Sequence, residues 1–399
     1  MITGVSLVLV LLLAVFGQGA PTILFPDPDP SNHGFKVAVT HFPLTDAARK
    51  DPYVTSSDRN IMASIFMPVA RAACTNECKN AYAPPQTSRI ADEQFLLNVT
   101  SSVFDNMGYN ICCGTATNID AASLPVVVLE PHTDTSRLMY GNLARYIASN
   151  GVVVVLLDHP GDTSIVEFTG SDHSLPTVYN SGKTQLSNYS PLTAWNTTIQ
   201  NAVDIRIADI TFALSQLSSL PLLHYQFPTL KFSTPLNTTT YGIVGHGLGG
   251  TVATALSFTA PSIRFSVSLS GTPPLLSSPP AHTAPLYFLG RENANRTADI
   301  HWPTTWRFLR GPATELDIAD SEIMDSTDLP IVLELAHNEG KMPHLVGRGL
   351  GTNGAWANHA VTCVVEGIVK KEMFGDGKAL AGCVRTGPMG VVPWLGNAV

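Results

Sequence analysis

The run from residue 124 to 161 constrains the fold more than any other part of the chain. LPVVVLEP and VVVVLLDHPG are continuous apolar segments of strand length, the pattern of strands buried on both faces of a parallel sheet. Between them SRLMYGNLARYIASNG places apolar residues at helical spacing and stops at Gly151. Strand, helix, strand in that order implies a right-handed crossover. FKVAVT, IMASIFMPV, TTYGIV, IRFSVSLSG, PLYFLG and PIVLELA read as further strands, and TIQNAVDIRIADITFALSQLSSL and TVATALSF as helices. The expectation is an α/β protein with a mostly parallel central sheet flanked by helices. It forms one large domain over 58–399, after an extended N-terminal segment 20–57. Residues 161–199 are polar and poorly periodic, which predicts an excursion across the surface or a lid-like insertion. No repeat or linker divides the domain.

Composition limits the partners. Hydrophobic residues make up 44% and charged residues 14%, against about 25% charged in an ordinary domain, which excludes a disordered chain. The net charge of −8 is spread without basic runs, so a nucleic-acid partner is not expected. The apolar run Val5–Phe16, followed by Gly17 and Gly19, fits a signal peptide over 1–19 with cleavage before Ala20. It is too short to span a membrane, which takes about 20 apolar residues, and no later run is long enough. Sequons at Asn98, Asn188, Asn196, Asn237 and Asn295 are glycan acceptors in a secreted chain. The six cysteines form an even set suited to an oxidising compartment. Cys363 with Cys383 is the expected C-terminal pair, and Cys74 and Cys78 are expected to cross-link with Cys112 and Cys113 in an order left open. CTNEC lacks a matching Cys or His knuckle, so no zinc site is expected.

Chemistry points to Gly245, His246, Gly247, Leu248, Gly249 and Gly250, between a strand and a helix. In hydrolases a GxSxG elbow occupies this context, with glycines permitting a sharp turn that presents the Ser hydroxyl. Here the middle position is Gly247, which has no nucleophile. The same glycines satisfy GxGxxG, but the next strand ends in Ser268, Leu269, Ser270 and Gly271. It lacks the acidic residue a dinucleotide ribose requires, and no cofactor is expected.

Several segments together resemble the secreted fungal esterases and lipases of the α/β-hydrolase superfamily that are similar to platelet-activating factor acetylhydrolase. LEPHTDTSRLMYGNLARYIASNGVVVVLLDHPGDTSIVEF resembles that family's oxyanion loop, first crossover helix and DHP turn. YGIVGHGLGGTVA resembles its elbow, usually GHSLGG. VSLSGT resembles the strand end carrying the acid, and RENANRTADIHWPTTWRFLRG a further strand-to-helix segment. The likeness runs from about residue 58 to 370 and implies an α/β-hydrolase fold and a carboxylic ester hydrolase of the 1-alkyl-2-acetylglycerophosphocholine esterase type.

Carried over residue by residue, the resemblance is discordant. Gly247 stands at the nucleophile and Ser270 at the acid. Thr133, in a loop, PHTDTSR, without glycine, and Leu248, directly after Gly247, stand at the amides of the oxyanion hole. His337, after PIVLELA, best matches the base, with His344 second. A triad needs a hydroxyl, a base within reach and a carboxylate to hold the imidazole tautomer. Among the nearby polar candidates to replace the nucleophile, Ser270 would attack from a neighbouring strand end, His246 reads as a packed elbow side chain, and the cluster His132, Asp134 and Ser136 reads as a hydrogen-bonded loop in which His132 with Asp134 gives a metal only two ligands. Two functions follow. One is a family member that has lost hydrolysis and holds a small ester or lipid ligand as a binding or regulatory module. The other is an active ester hydrolase with a relocated nucleophile.

Overall fold

The computed structural model describes residues 21–97, 102–169, 175–189, 192–340, 346–386 and 391–394. The segment expected to be a signal peptide, the Asn98 sequon and His344 lie outside the described residues. Among the described residues nine strands make the central sheet: β1 Phe35–Lys50, β2 Asp58–Ala70, β3 Val126–Glu130, β4 Val153–Asp158, β5 Tyr241–His246, β6 Ile263–Leu269, β7 Leu286–Arg291, β8 Ala313–Ile318 and β9 Val391–Trp394. Their order across the sheet is β9-β8-β7-β6-β5-β3-β4-β2-β1. Strands β4, β3, β5, β6, β7 and β8 run parallel, while β1, β2 and β9 pair antiparallel. Every residue of β3, β4 and β5 is buried, as the apolar runs require.

The helices that bear on the site are α1 Gly141–Ala148, α2 Thr197–Leu217, α3 Leu248–Thr259, α4 Leu329–Asn338 and α5 Gly354–Phe374. Two large apolar clusters cover the two faces of the sheet. One includes Val127, Leu129, Val154 and Leu156 with α1 and α5 residues such as Leu143 and Val365. The other includes Val126, Val128, Val153 and Val155 with Ile210 and Val252 from α2 and α3. The alternation of β3 and β4 residues between the clusters is the period-two signature of a sheet buried on both sides. Among the described residues no helix is long and apolar enough to cross a membrane.

Three disulfides close the cysteine set: Cys74–Cys112, Cys78–Cys113 and Cys363–Cys383. Their Cα atoms are 5.9, 6.0 and 5.8 Å apart, within the span a disulfide bridges. The C-terminal pair matches expectation, and strand pairing between Cys74–Ala81 and Met107–Thr115 sets the order of the other two.

Three expectations are corrected. PIVLELA is not a strand but most of helix α4. Leu329, Val332 and Ala336 are buried at helical spacing, and Pro330 sits in the first turn, where a missing N–H costs nothing. The strand at this place in the sheet is β8, ATELDI, whose Thr314, Glu315 and Asp317 disguised it. The boundary at 57/58 falls inside a hairpin, because β1 pairs with β2 from Phe35–Ala70 to Lys50–Asp58; residues 35–57 belong to the domain. The 161–199 segment is not a simple surface excursion. Asp162, Thr163, Thr184, Tyr189 and Leu192 are buried, and the polar groups among them are satisfied: Thr184 Oγ1 donates to Asp162, Thr163 Oγ1 donates to the His159 carbonyl and Tyr189 pairs with Thr251, which is how a polar sequence packs inside.

Candidate functional site

The turn from β5 into α3 has the geometry of a nucleophile elbow. Gly247 has φ +53° and ψ −115°, a region that costs a residue with a side chain about 1–3 kcal/mol. Its N–H donates to the Leu269 carbonyl oxygen at 2.8 Å, and its own carbonyl accepts from Thr251 N–H at 3.0 Å. A Cβ at Gly245 would overlap the Gly249 carbonyl, so strand and helix cross too closely for a side chain there.

What stands opposite Gly247 is the imidazole of His132, from the loop after β3. A Cβ on Gly247 would lie 2.5 Å from His132 Cε1 and 2.6 Å from Cγ, distances at which real atoms do not coexist. Thr133 N–H donates to His132 Nδ1 at 2.7 Å and Leu248 N–H donates to the same atom at 3.3 Å. The two amides assigned to the oxyanion hole therefore do converge on one point, as such a hole requires. That point is a ring nitrogen of the protein itself.

Because Nδ1 accepts two N–H groups, it carries no proton, and the neutral ring bears its hydrogen on Nε2. Burial, then the neighbouring His246, Arg206 and Arg291, hold the His132 pKa well below the ordinary histidine value. Nε2 is buried and has no hydrogen-bond partner among the described residues. Rings pack around it edge to face: Tyr189 at 5.2 Å and His246 at 5.0 Å between centroids. Tyr140 Oη accepts from His132 N–H at 3.0 Å and is hydrogen-bonded to His246 Nδ1 at 2.8 Å. Burial, reinforced by Arg291, lowers the His246 pKa to about 3.

Behind the loop runs a chain of buried ions. Arg59 holds Asp51 at 2.8 Å and Asp209 at 2.7 Å. His159, of the DHP turn, lies between Asp209 and Glu130 at 2.9 Å each. Arg206 on α2 binds Asp162 at 2.6 Å and donates to the Pro131 carbonyl at 2.6 Å. Asp162 in turn accepts from Thr133 Oγ1 at 2.5 Å and Thr184 Oγ1 at 2.8 Å. Burial opposes a charge on His159, but Glu130 and hydrogen bonds to Asp209 and Glu130 outweigh it and raise its pKa. The alternation of sign makes such burial tolerable, and its end point is the backbone of the loop that delivers His132. The other residues of the family-like segments are structural too. Asp158 pairs with Arg137, and Glu167 of VEF accepts the N–H groups of Gln86 and Thr87 at the start of helix Pro85–Phe95.

The remaining expected residues are dispersed. Ser270 has φ +57°, and its hydroxyl donates to the Leu289 carbonyl oxygen at 3.5 Å rather than to a histidine. His337 is exposed in the last turn of α4. The loop after β8, residues 319–328, faces the site through the Ile323 backbone beside His246. It contains Asp320, Glu322, Asp325 and Asp328 and no histidine, and Glu322 pairs with Arg291 at 3.0 Å. Asp134 turns away from His132 to accept from Asn180 at 3.1 Å.

A cleft of about 350 Å³ opens beside Thr133, lined also by Lys183, Gln185, Tyr189, Asn196 and Thr198. A second, of about 420 Å³, shares Lys183, Thr184 and Thr198 with it and reaches Tyr53 and Asn201. Sequence reasoning missed His132 as an occupant of the hole, and with it Tyr140, Tyr189, Arg206 and Asp209. The absence of glycine in PHTDTSR was the available signal.

Comparison with known proteins places this geometry. The family described as "Platelet-activating factor acetylhydrolase, isoform II" matches residues 80–295, more than half of the chain. A "Probable 1-alkyl-2-acetylglycerophosphocholine esterase" of Arthroderma benhamiae is 27% identical over 298 residues, 70% of this chain and 69% of that protein. The structure of a ferulic acid esterase from Streptomyces cinnamoneus superposes with a TM-score of 0.62 at 21% identity, covering 86% of this chain and 91% of that one; at that identity it speaks to the fold.

Proposed function

The chain belongs to the platelet-activating factor acetylhydrolase, isoform II family, and on that premise we propose that it is an exported esterase-fold protein that does not hydrolyse esters and acts as a binding or regulatory module. One observation carries the reading: His132 Nδ1 takes the two amide hydrogen bonds of the hole, while its ring fills the space a nucleophile's Cβ would need. Loss of the nucleophile alone removes all but background catalysis, on the order of a million-fold in a triad enzyme. Here the hole is also satisfied internally, so a substrate carbonyl gains nothing from entering it. No histidine lies in the loop after β8, and Ser270 bonds to a backbone carbonyl, which weighs against a relocated nucleophile. The name of the Arthroderma relative supports a small ester or lipid as the ligand class, held in the cleft beside Thr133. Three disulfides and exposed sequons at Asn196 and Asn237 support export.

Turnover of short-chain nitrophenyl esters by the purified mature protein tests this. Rates equal to those of the uncatalysed reaction are expected; saturable turnover abolished by Ser270→Ala would establish the relocated nucleophile instead.

A further inference from the structure

The sequon Asn196-Thr197-Thr198 lies at the junction of the two clefts. Asn196 lines the first cleft, and Thr198 lines both. Asn196 is exposed and caps α2, its Oδ1 accepting from Ile199 N–H at 3.1 Å. That cap fixes the side chain by its oxygen and leaves Nδ2, the atom a glycan attaches to, without a hydrogen bond among the described residues. The walls around Asn196 offer partners to sugar hydroxyls. Lys183, Gln185, Thr193 and Asn201 offer ammonium, amide and hydroxyl groups to sugar hydroxyls, and Lys183 is held over the Tyr53 ring at 5.2 Å from its centroid, between the two clefts.

We propose that Asn196 carries an N-linked glycan whose first sugars lie in these clefts and cover the approach to Thr133. The inference rests on the export reading and goes beyond it by assigning the glycan a seat. In the attachment step Nδ2 bonds to the anomeric carbon of a polyprenyl-diphosphate-linked oligosaccharide. The anomeric C–O bond to diphosphate breaks, polyprenyl diphosphate leaves, and the displaced Nδ2 proton passes to a base, with no change in oxidation state. A ligand for the cleft must then compete with the chain's own sugar.

Thr198→Ala removes the sequon but keeps the Asn196 cap, and Thr198→Ser keeps both. All three proteins are expressed through a eukaryotic secretory route, glycopeptides are mapped by mass spectrometry, and Lys183 acetylation by a soluble active ester is timed. A glycan at Asn196 in wild type and Thr198→Ser, with Lys183 acetylated several-fold faster in Thr198→Ala, is expected. Glycosylated Asn237 with bare Asn196, or equal Lys183 rates in all three proteins, overturns the inference while sparing the export reading. If no sequon is modified, the export reading fails and takes this inference with it.

Discussion

At the scale of residues, Gly247 and His132 are one feature. The sequence disclosed the missing hydroxyl, because GHGLGG differs from the usual elbow at one letter, and it disclosed Ser270 by its place at a strand end. It could not disclose His132. That role depends on a ring reaching across from another loop, and in a linear reading His132 and Asp134 look like a pair of ligands in a polar turn. Only the φ of +53° at Gly247 and the two amides meeting at Nδ1 connect them. Gly247→Ser alone should therefore lower stability, by backbone strain of about 1–3 kcal/mol together with the clash against the ring. His132→Gly empties that space. In a double-mutant cycle read by urea unfolding, the pair should be more stable than the two single losses sum to, with a coupling of about 0.5–3 kcal/mol; additivity would mean that the ring and the new side chain do not meet.

Elements were legible where periodicity was clean and hidden where polar groups were buried. The apolar runs of β3, β4 and β5 and the spacing of α2 and α3 are found where the sequence puts them. β8 was missed because Thr314, Glu315 and Asp317 interrupt its apolar pattern, although Glu315 is buried against Arg296 at 2.7 Å. α4 was misread because LPIVLEL is apolar enough for a buried strand, and periodicity does not separate the two in so short a run. That exchange also displaced the expected base, since the loop after the true strand holds Glu322 where a histidine was sought. The DHP turn, recognisable as a motif, earns its place as a joint in the ion chain linking β2, β3, β4 and α2. Asp209→Ala would leave Arg59 and His159 buried without their shared carboxylate. A stability loss of about 3–5 kcal/mol is expected, as for other broken buried pairs; a loss under about 1 kcal/mol would show that water, not Asp209, satisfies these cations.

On the scale of the whole molecule, the neutral buried histidines oppose folding as the pH falls. His132 and His246 have folded pKa values below the ordinary 6.5, so below about pH 6.5 the unfolded chain binds protons that the folded chain refuses. Each should cost about 1.4 kcal/mol per pH unit in that range, until the folded value is reached. His159 has the opposite sign: its raised pKa gives a contribution that is complete below 6.5 and lost as pH rises through the folded value, so it does not offset the acid loss. Asp328, raised by burial to about 7, has the opposite sign to His132 and His246 over the same range, because the folded chain binds its proton before the unfolded chain does, so the histidine contribution is read by difference: the urea midpoint of His246→Phe should rise relative to wild type from pH 6.5 to 4.5. A constant difference would mean that this ring is hydrated or already charged.

If the proposed function holds, the elbow carries no reactive hydroxyl and no other serine has taken over. A serine-directed fluorophosphonate, incubated with the purified mature protein and followed by intact mass and peptide mapping, tests this most directly. No adduct is predicted, with the chain folded and Gly247 facing His132. A stoichiometric adduct at Ser270, Ser136 or any other serine would contradict the account and place an active nucleophile on this fold.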